Sequence, residues 1–344
     1  MKLVIDRSIS FIEGVFEPYA ESVVYKEGSE ICRDDLLDAD GLIIRSRTRC
    51  DASLLEGTKV KIIATSSIGT DHIDLEYCHA HSILTRKAEG SNAGGVMNYV
   101  FSALYGTAAR KSIPLDGLVF GIVGAGNVGS RVAFTARSLG FKVLLYDPPR
   151  AEAEGPAQFC SLDYLLQNSD IVSLHVPLNA STRGLADAYF FSKMKYGAFF
   201  INTSRGEVVI EDDLINAIPK LGPVIIDTWT GEPNINHTLL NLVDIGTPHI
   251  SGYTYQSKLT GTSMTVRAVA RFFGISELYE YFPKAENSLE AVKLDLADGS
   301  QGRIASAIQY NYPIFTDDFM FRMNPSGFEE LRAAYQYRKE FYTE

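Results

Sequence analysis

Residues 118–147, LVFGIVGAGNVGSRVAFTARSLGFKVLLYD, restrict the possible folds more than any other stretch of the chain. An apolar run ends in Gly124, and Gly126 and Gly129 complete a G-x-G-x-x-G turn before a segment with helical spacing. A second apolar run then closes on Asp147. Strand, glycine turn, helix and strand make one crossover, and such a unit requires a parallel sheet with helices on its faces. The glycines allow a tight turn and bring an anion to the helix N-terminus, where unpaired N–H groups and the helix dipole favour it. Gly124, Gly126, Asn127, Val128 and Gly129 are therefore candidate contacts for a dinucleotide pyrophosphate. Asp147 stands where an acid grips the adenosine ribose hydroxyls, and its charge repels a 2′-phosphate, which favours NAD over NADP. Arg150, three residues on, pulls the other way.

The same texture recurs on both sides. KLVI (2–5), GLIIRS (41–46) and KIIATS (61–66) precede the motif, and DIVSLHVP (170–177), AFFINTS (198–204) and VIIDTW (224–229) follow it. Runs that are apolar throughout, without alternation, belong to strands buried on both faces. The expected class is α/β, with two doubly wound, Rossmann-like parallel-sheet domains joined by a helical stretch at 91–110. After Gly274 the pattern changes to short strand-like pieces and a final amphipathic helix, a small C-terminal α+β unit. The expected division is a lid and substrate-binding domain over 1–92 with about 258–280, an NAD-binding domain over 93–257, and the C-terminal unit over 281–344.

Composition excludes several function classes. A net charge of −10 opposes a nucleic-acid surface. No apolar stretch approaches the roughly 18 residues that span a bilayer. Cys32, Cys50, Cys78 and Cys160 lie far apart without C-x-x-C spacing, which fits reduced thiols and a cytoplasmic protein better than a metal site or disulfide framework.

Beyond the glycine motif, three groups follow strand ends in order: Arg205 in NTSRGEVV, Glu232 in DTWTGEP and His249 in TPHISGY. Open α/β sheets bind ligands at such ends. A guanidinium can hold a carboxylate and polarise a neighbouring oxygen, an imidazole can take a hydroxyl proton, and an acid can orient the imidazole. Each residue also has an ordinary structural reading, as a surface ion pair, a turn acid before Pro233 and a packed loop residue. Arg45, Ser46, Ser67, Tyr253 and Lys258 add a polar set that suits a small acid better than a peptide.

The segments GIVGAGNVGSRV, INTSRGEVV, DTWTGEP and TPHISGY resemble the D-isomer-specific 2-hydroxyacid dehydrogenase family. The resemblance implies NAD-dependent oxidation of a small, phosphorylated 2-hydroxy acid, with Arg205, Glu232 and His249 as the catalytic set. It further implies cofactor contacts at Asp147 and Asp227 with Gly252 lining the same site, substrate contacts at Ser46, Ser67 and Tyr253, and a homodimer formed by the C-terminal segment. Val176 stands where the family usually has a Thr at the cofactor, Asn98 replaces a usual Glu, and Thr260 replaces an Arg. A dehydrogenase of another 2-hydroxy acid, such as phosphoglycerate or glycerate, and an NAD-sensing scaffold without catalysis remain as alternatives. No nucleic-acid or membrane partner is expected.

Overall fold

The computed structural model describes residues 1–284, 291–294 and 299–342. The chain divides into two compact units, residues 1–92 with 255–290, and residues 93–254 with 291–344. The first unit holds a parallel sheet of β1 (Lys2–Asp6), β2 (Ser22–Lys26), β3 (Gly41–Ile44), β4 (Ile62–Thr65) and β5 (Leu84–Lys87), in the order β2-β1-β3-β4-β5. Strands β3 and β4 are buried along their whole length. One face packs on Leu36, Leu54, Leu55 and Cys78. The other receives Val266, Val269 and Ala270 of the helix Tyr255–Phe273. Burial on both faces is why these strands read as unbroken apolar runs.

The second unit holds β6 (Val119–Val123), β7 (Lys142–Tyr146), β8 (Ile171–Leu174), β9 (Phe199–Asn202), β10 (Val224–Ile226) and β11 (Ile245–Gly246), in the order β11-β10-β9-β8-β6-β7. All are parallel, and the chain reverses direction across the sheet between β7 and β8. Val123 is level with Tyr146 and Leu174, Leu174 with Asn202, Asn202 with Ile226, and Ile226 with Gly246. The segments leaving these strands therefore emerge along one edge of the sheet. That shared edge is what positions the site.

Two expectations change. The sequence pattern after Gly274 predicts short strands and one helix. Among the described residues it carries three α-helices, Gln301–Asn311, Ile314–Met323 and Phe328–Ala333, and the strands β12 (Val292–Lys293) and β13 (Phe341–Tyr342), paired in parallel. Nor does 281–344 stand apart as a unit of its own. Ile304, Ile308, Tyr312, Ile314 and Phe341 share one core with the long helix Ala93–Lys111. That helix is buried from Ala93 to Ala108, which requires apolar partners all round, and the C-terminal segment supplies one side. Asn98 shows the fit: its amide donates to the Phe341 carbonyl at 2.9 Å and accepts from the Phe341 N–H at 2.7 Å. A glutamate at this position could accept but not donate.

Candidate active site

The glycine turn leaves β6 with Gly124 at φ +89°, in the left-handed region. A side chain there would lie 2.6 Å from the His175 carbonyl oxygen and 2.8 Å from Val176 Cγ1, so the segment after β8 runs against the turn. Gly129 has no room for a Cβ against the Gly124 carbonyl, which lets the helix Asn127–Ser138 start close to the strand. Gly126 caps that helix without a side chain, and nothing stands within 4 Å of where its Cβ would be. Open space beside uncapped N–H groups fits a pyrophosphate at Gly126, Asn127 and Val128.

Asp147 binds the turn itself. Its Oδ2 accepts from the Ala125 N–H at 2.8 Å and its Oδ1 from the Arg150 N–H at 3.1 Å. A carboxylate has further lone pairs, so these bonds leave acceptor capacity for ribose hydroxyls. Arg150 is committed within the chain, with Nε and Nη2 on Glu154 at 2.6 and 2.7 Å and Nη1 on the Ala125 carbonyl at 2.6 Å. The fork that left a 2′-phosphate open at the sequence level is thus a brace for the glycine turn. His175, next to Gly124, bonds Ser173 through Nε2 at 2.9 Å, and burial holds its pKa down to about 3. That keeps the ring neutral at ordinary pH.

Arg205 leaves β9 on a turn held by Asn202, whose Oδ1 accepts from the Ser204 N–H and hydroxyl at 3.0 and 2.8 Å. The Asn202 side chain also donates to the Arg205 carbonyl at 3.0 Å. The next residue, Gly206, presses so closely on the backbone of Trp229 and Thr230 that no Cβ fits. This contact joins the Arg205 turn to the loop that carries Glu232. The Glu232 Oε1 accepts from the Trp229 N–H at 2.8 Å, and its Oε2 meets His249 Nδ1 at 2.7 Å.

The histidine owes its place to a buried acid. Asp227, fully buried, accepts at Oδ1 from the Thr247 hydroxyl at 2.7 Å and the Ile250 N–H at 2.8 Å, and at Oδ2 from the Ser251 N–H at 3.0 Å. His249 itself sits at φ +54°, a left-handed conformation that a non-glycine residue adopts only when its surroundings impose it. Its N–H donates to the Asp227 carbonyl at 2.8 Å. With Nδ1–H assigned to Glu232, the neutral ring presents Nε2 as a base, and 28% of the side chain is exposed. Burial pushes the Glu232 carboxyl up, but the charge and hydrogen bond of His249, the Trp229 N–H and the charge of Arg332 outweigh it. The net result lies below the usual value.

The second unit therefore brings Arg205, Glu232, His249, Asp227, Gly252 and Tyr253 onto neighbouring segments of one sheet edge, with Asp147, Val176 and the glycine turn along the same edge. The first unit carries Arg45, Ser46, Ser67 and Lys258. Arg45 and Ser46 follow β3 and Ser67 follows β4, whose ends Ile44 and Thr65 are level. The Ser67 hydroxyl bonds that of Thr65 at 2.5 Å, and Arg45 Nη1 donates to the Ser8 carbonyl at 3.2 Å. Arg332, on the helix Phe328–Ala333, has no counterpart in the sequence reading. Its Nη2 donates to the Tyr253 hydroxyl at 3.2 Å. Its one sequence signal is the cationic, tyrosine-rich run RAAYQYRK at 332–339.

Residues 98–251 match the family described as D-isomer specific 2-hydroxyacid dehydrogenase, NAD binding domain. An erythronate-4-phosphate dehydrogenase of Bacteroides fragilis is 41% identical over 99% of this chain and 97% of its own length. One from Porphyromonas gingivalis is 36% identical over 99% and 94%. Among solved structures, NAD-bound 3-phosphoglycerate dehydrogenase of Entamoeba histolytica is 28% identical with a TM-score of 0.68, covering 83% of this chain and 99% of that one. D-Lactate dehydrogenase of Aquifex aeolicus with NAD and lactic acid is 27% identical with a TM-score of 0.63, covering 83% and 100%.

Proposed function

The chain belongs to the erythronate-4-phosphate dehydrogenases, within the D-isomer-specific 2-hydroxyacid dehydrogenase family, and we propose that its substrate is 4-phospho-D-erythronate, oxidised at C2 to 3-hydroxy-2-oxo-4-phosphooxybutanoate. It is an NAD-dependent oxidoreductase acting on a CH–OH group, and we assign it to pyridoxal phosphate biosynthesis. The observation that carries the residue roles is the 2.7 Å contact between Glu232 and His249, which leaves Nε2 as the available base.

When bound, NAD would supply the hydride acceptor; Gly124, Gly126, Asn127, Val128 and Gly129 would hold its pyrophosphate and Asp147 its ribose hydroxyls, with Val176, Asp227 and Gly252 along the same edge. Arg205 holds the substrate carboxylate and polarises the C2 oxygen through its planar fork. His249 takes the C2 hydroxyl proton at Nε2. Glu232 fixes the ring orientation and stabilises the imidazolium that results. Ser46, Ser67 and Tyr253 are the proposed substrate contacts, with Arg45 and Lys258 as cations for the phosphate.

This assignment has a pH signature. In the wild type, kcat/KM for the hydroxy acid rises with pH through one ionisation, as the catalytic base loses its proton. Glu232→Gln removes the charge that favours the imidazolium, so the proton leaves more readily and the ionisation moves to lower pH. A profile that stays in place, or moves upward, in Glu232→Gln contradicts the pairing as the source of basicity.

The proposal includes a homodimer through the C-terminal helices. Phe319, Met320 and Met323 on the helix Ile314–Met323 are 61%, 51% and 70% exposed. Phe319 and Met323 lie one turn apart on the same side of that helix. Clustered large apolar side chains in water mark a surface that another protein covers. Replacing both Phe319 and Met323 by Glu should give a folded monomer at micromolar concentration in analytical ultracentrifugation. A variant that sediments as a dimer contradicts this face.

A further inference from the structure

Arg332 is a cation in an unusual setting. Its side chain is 15% exposed, and its guanidinium lies between two rings, 5.7 Å from the centre of Tyr253 and 5.6 Å from that of Phe328. Nη2 donates to the Tyr253 hydroxyl at 3.2 Å, and Nη1 reaches Glu329 at 3.1 Å. Nε is buried without a hydrogen-bond partner. Burying a guanidinium is costly unless opposite charge and hydrogen bonds surround it. The Glu329 side chain is 40% exposed, so solvent screens that pair and its compensation is weak. Burial disfavours this charge, but Tyr253, Glu329, Glu232 and Asp227 outweigh it, so the guanidinium stays protonated beside Tyr253.

Tyr253 stands four residues after His249, and its N–H donates to the Ile250 carbonyl at 2.7 Å, so it belongs to the same loop as the base. Its ring also meets Tyr335 and Tyr337 in T-shaped contacts, with centroids 6.1 and 6.3 Å away. The charge of Arg332 is also felt at Glu232, which places it in the electrostatic neighbourhood of the catalytic pair.

We propose that Arg332 is a specificity-determining residue that holds Tyr253 in place and adds positive charge, in addition to that of Arg45 and Lys258, to recognition of the phosphate of a phosphorylated 2-hydroxy acid. The inference rests on the phosphorylated-substrate reading above and adds the C-terminal helix to that site. A dianionic phosphate beside this largely buried guanidinium gains charge-assisted bonding that an unphosphorylated acid cannot. A purely structural clamp on Tyr253 would serve both substrates equally.

The experiment measures kcat/KM for 4-phospho-D-erythronate and for D-erythronate, with saturating NAD, in wild type, Arg332→Met and Arg332→Gln. Methionine keeps an apolar stem between the rings, and glutamine keeps a donor for the Tyr253 hydroxyl, so the result does not depend on one variant folding. The ratio of the two kcat/KM values should fall by about tenfold or more in both variants, mostly through KM for the phosphorylated acid. A folded variant that keeps the wild-type ratio, including one that loses equally on both substrates, overturns the role of Arg332. A wild type without preference for the phosphorylated acid overturns the phosphorylated-substrate reading itself, and the two failures are told apart by which protein shows them.

Discussion

His249→Asn should lower kcat on the hydroxy acid by about 10²–10⁴-fold, the usual worth of a positioned general base. Asparagine suits the test because the position has φ +54°, where Asn is among the few non-glycine residues that sit without large strain. The loop should therefore keep its three bonds to the buried Asp227 carboxylate. NAD binding should stay at the wild-type level, because the glycine turn and Asp147 are on other segments of the edge. Stopped-flow measurement of NADH formation, with NAD affinity determined by fluorescence titration, separates the two effects. Wild-type turnover in the variant would return His249 to the ordinary class of packed loop residues.

Gly206→Ala should be almost as damaging, although the residue carries no reactive group. An added Cβ would fall within the Trp229 carbonyl and the Thr230 nitrogen, which are backbone atoms without a rotamer to yield. The Arg205 turn or the Trp229–Glu232 loop must then move by roughly an ångström or more, and a displacement of that size costs on the order of 10²-fold in rate. Overpacking at such a contact also costs about 1–3 kcal/mol of stability. The expected result is a protein with a lower Tm and kcat/KM reduced by about 100-fold, with loss concentrated in kcat. Unchanged kinetics would mean that the spacing of Arg205 and Glu232 is not set by this contact.

Much of the candidate site is legible in the sequence because its parts are local. The glycine turn, Asp147 and the Arg205, Glu232 and His249 segments each follow an apolar strand, and parallel order puts strand ends on one edge. The joints between segments were not legible. Asp227 organises the His249 loop through bonds that span twenty residues or more, and nothing in DTWTGEP reveals them. The position of Arg150 weakens the case for NAD over NADP in the sequence, whereas its fork lies on Glu154 and Ala125. The C-terminal segment was the least readable part. Its helices are short, Pro313 separates two of them, and their apolar residues face a helix some two hundred positions earlier, as the Ser102 hydroxyl bond to the Tyr312 carbonyl illustrates. Asn98 read as the loss of an acid. Paired with Phe341, it is the residue that lets the last strand attach.

The most direct measurement of the central claim is NADH formation by the purified protein on a panel of D-2-hydroxy acids: 4-phospho-D-erythronate, D-erythronate, 3-phospho-D-glycerate, D-glycerate and D-lactate. The account predicts the highest kcat/KM for 4-phospho-D-erythronate, by about tenfold or more over D-erythronate, which is the equivalent of one charge-assisted bond to the phosphate. A higher kcat/KM for any other acid on the panel, or equal values with and without the 4-phosphate, would contradict it.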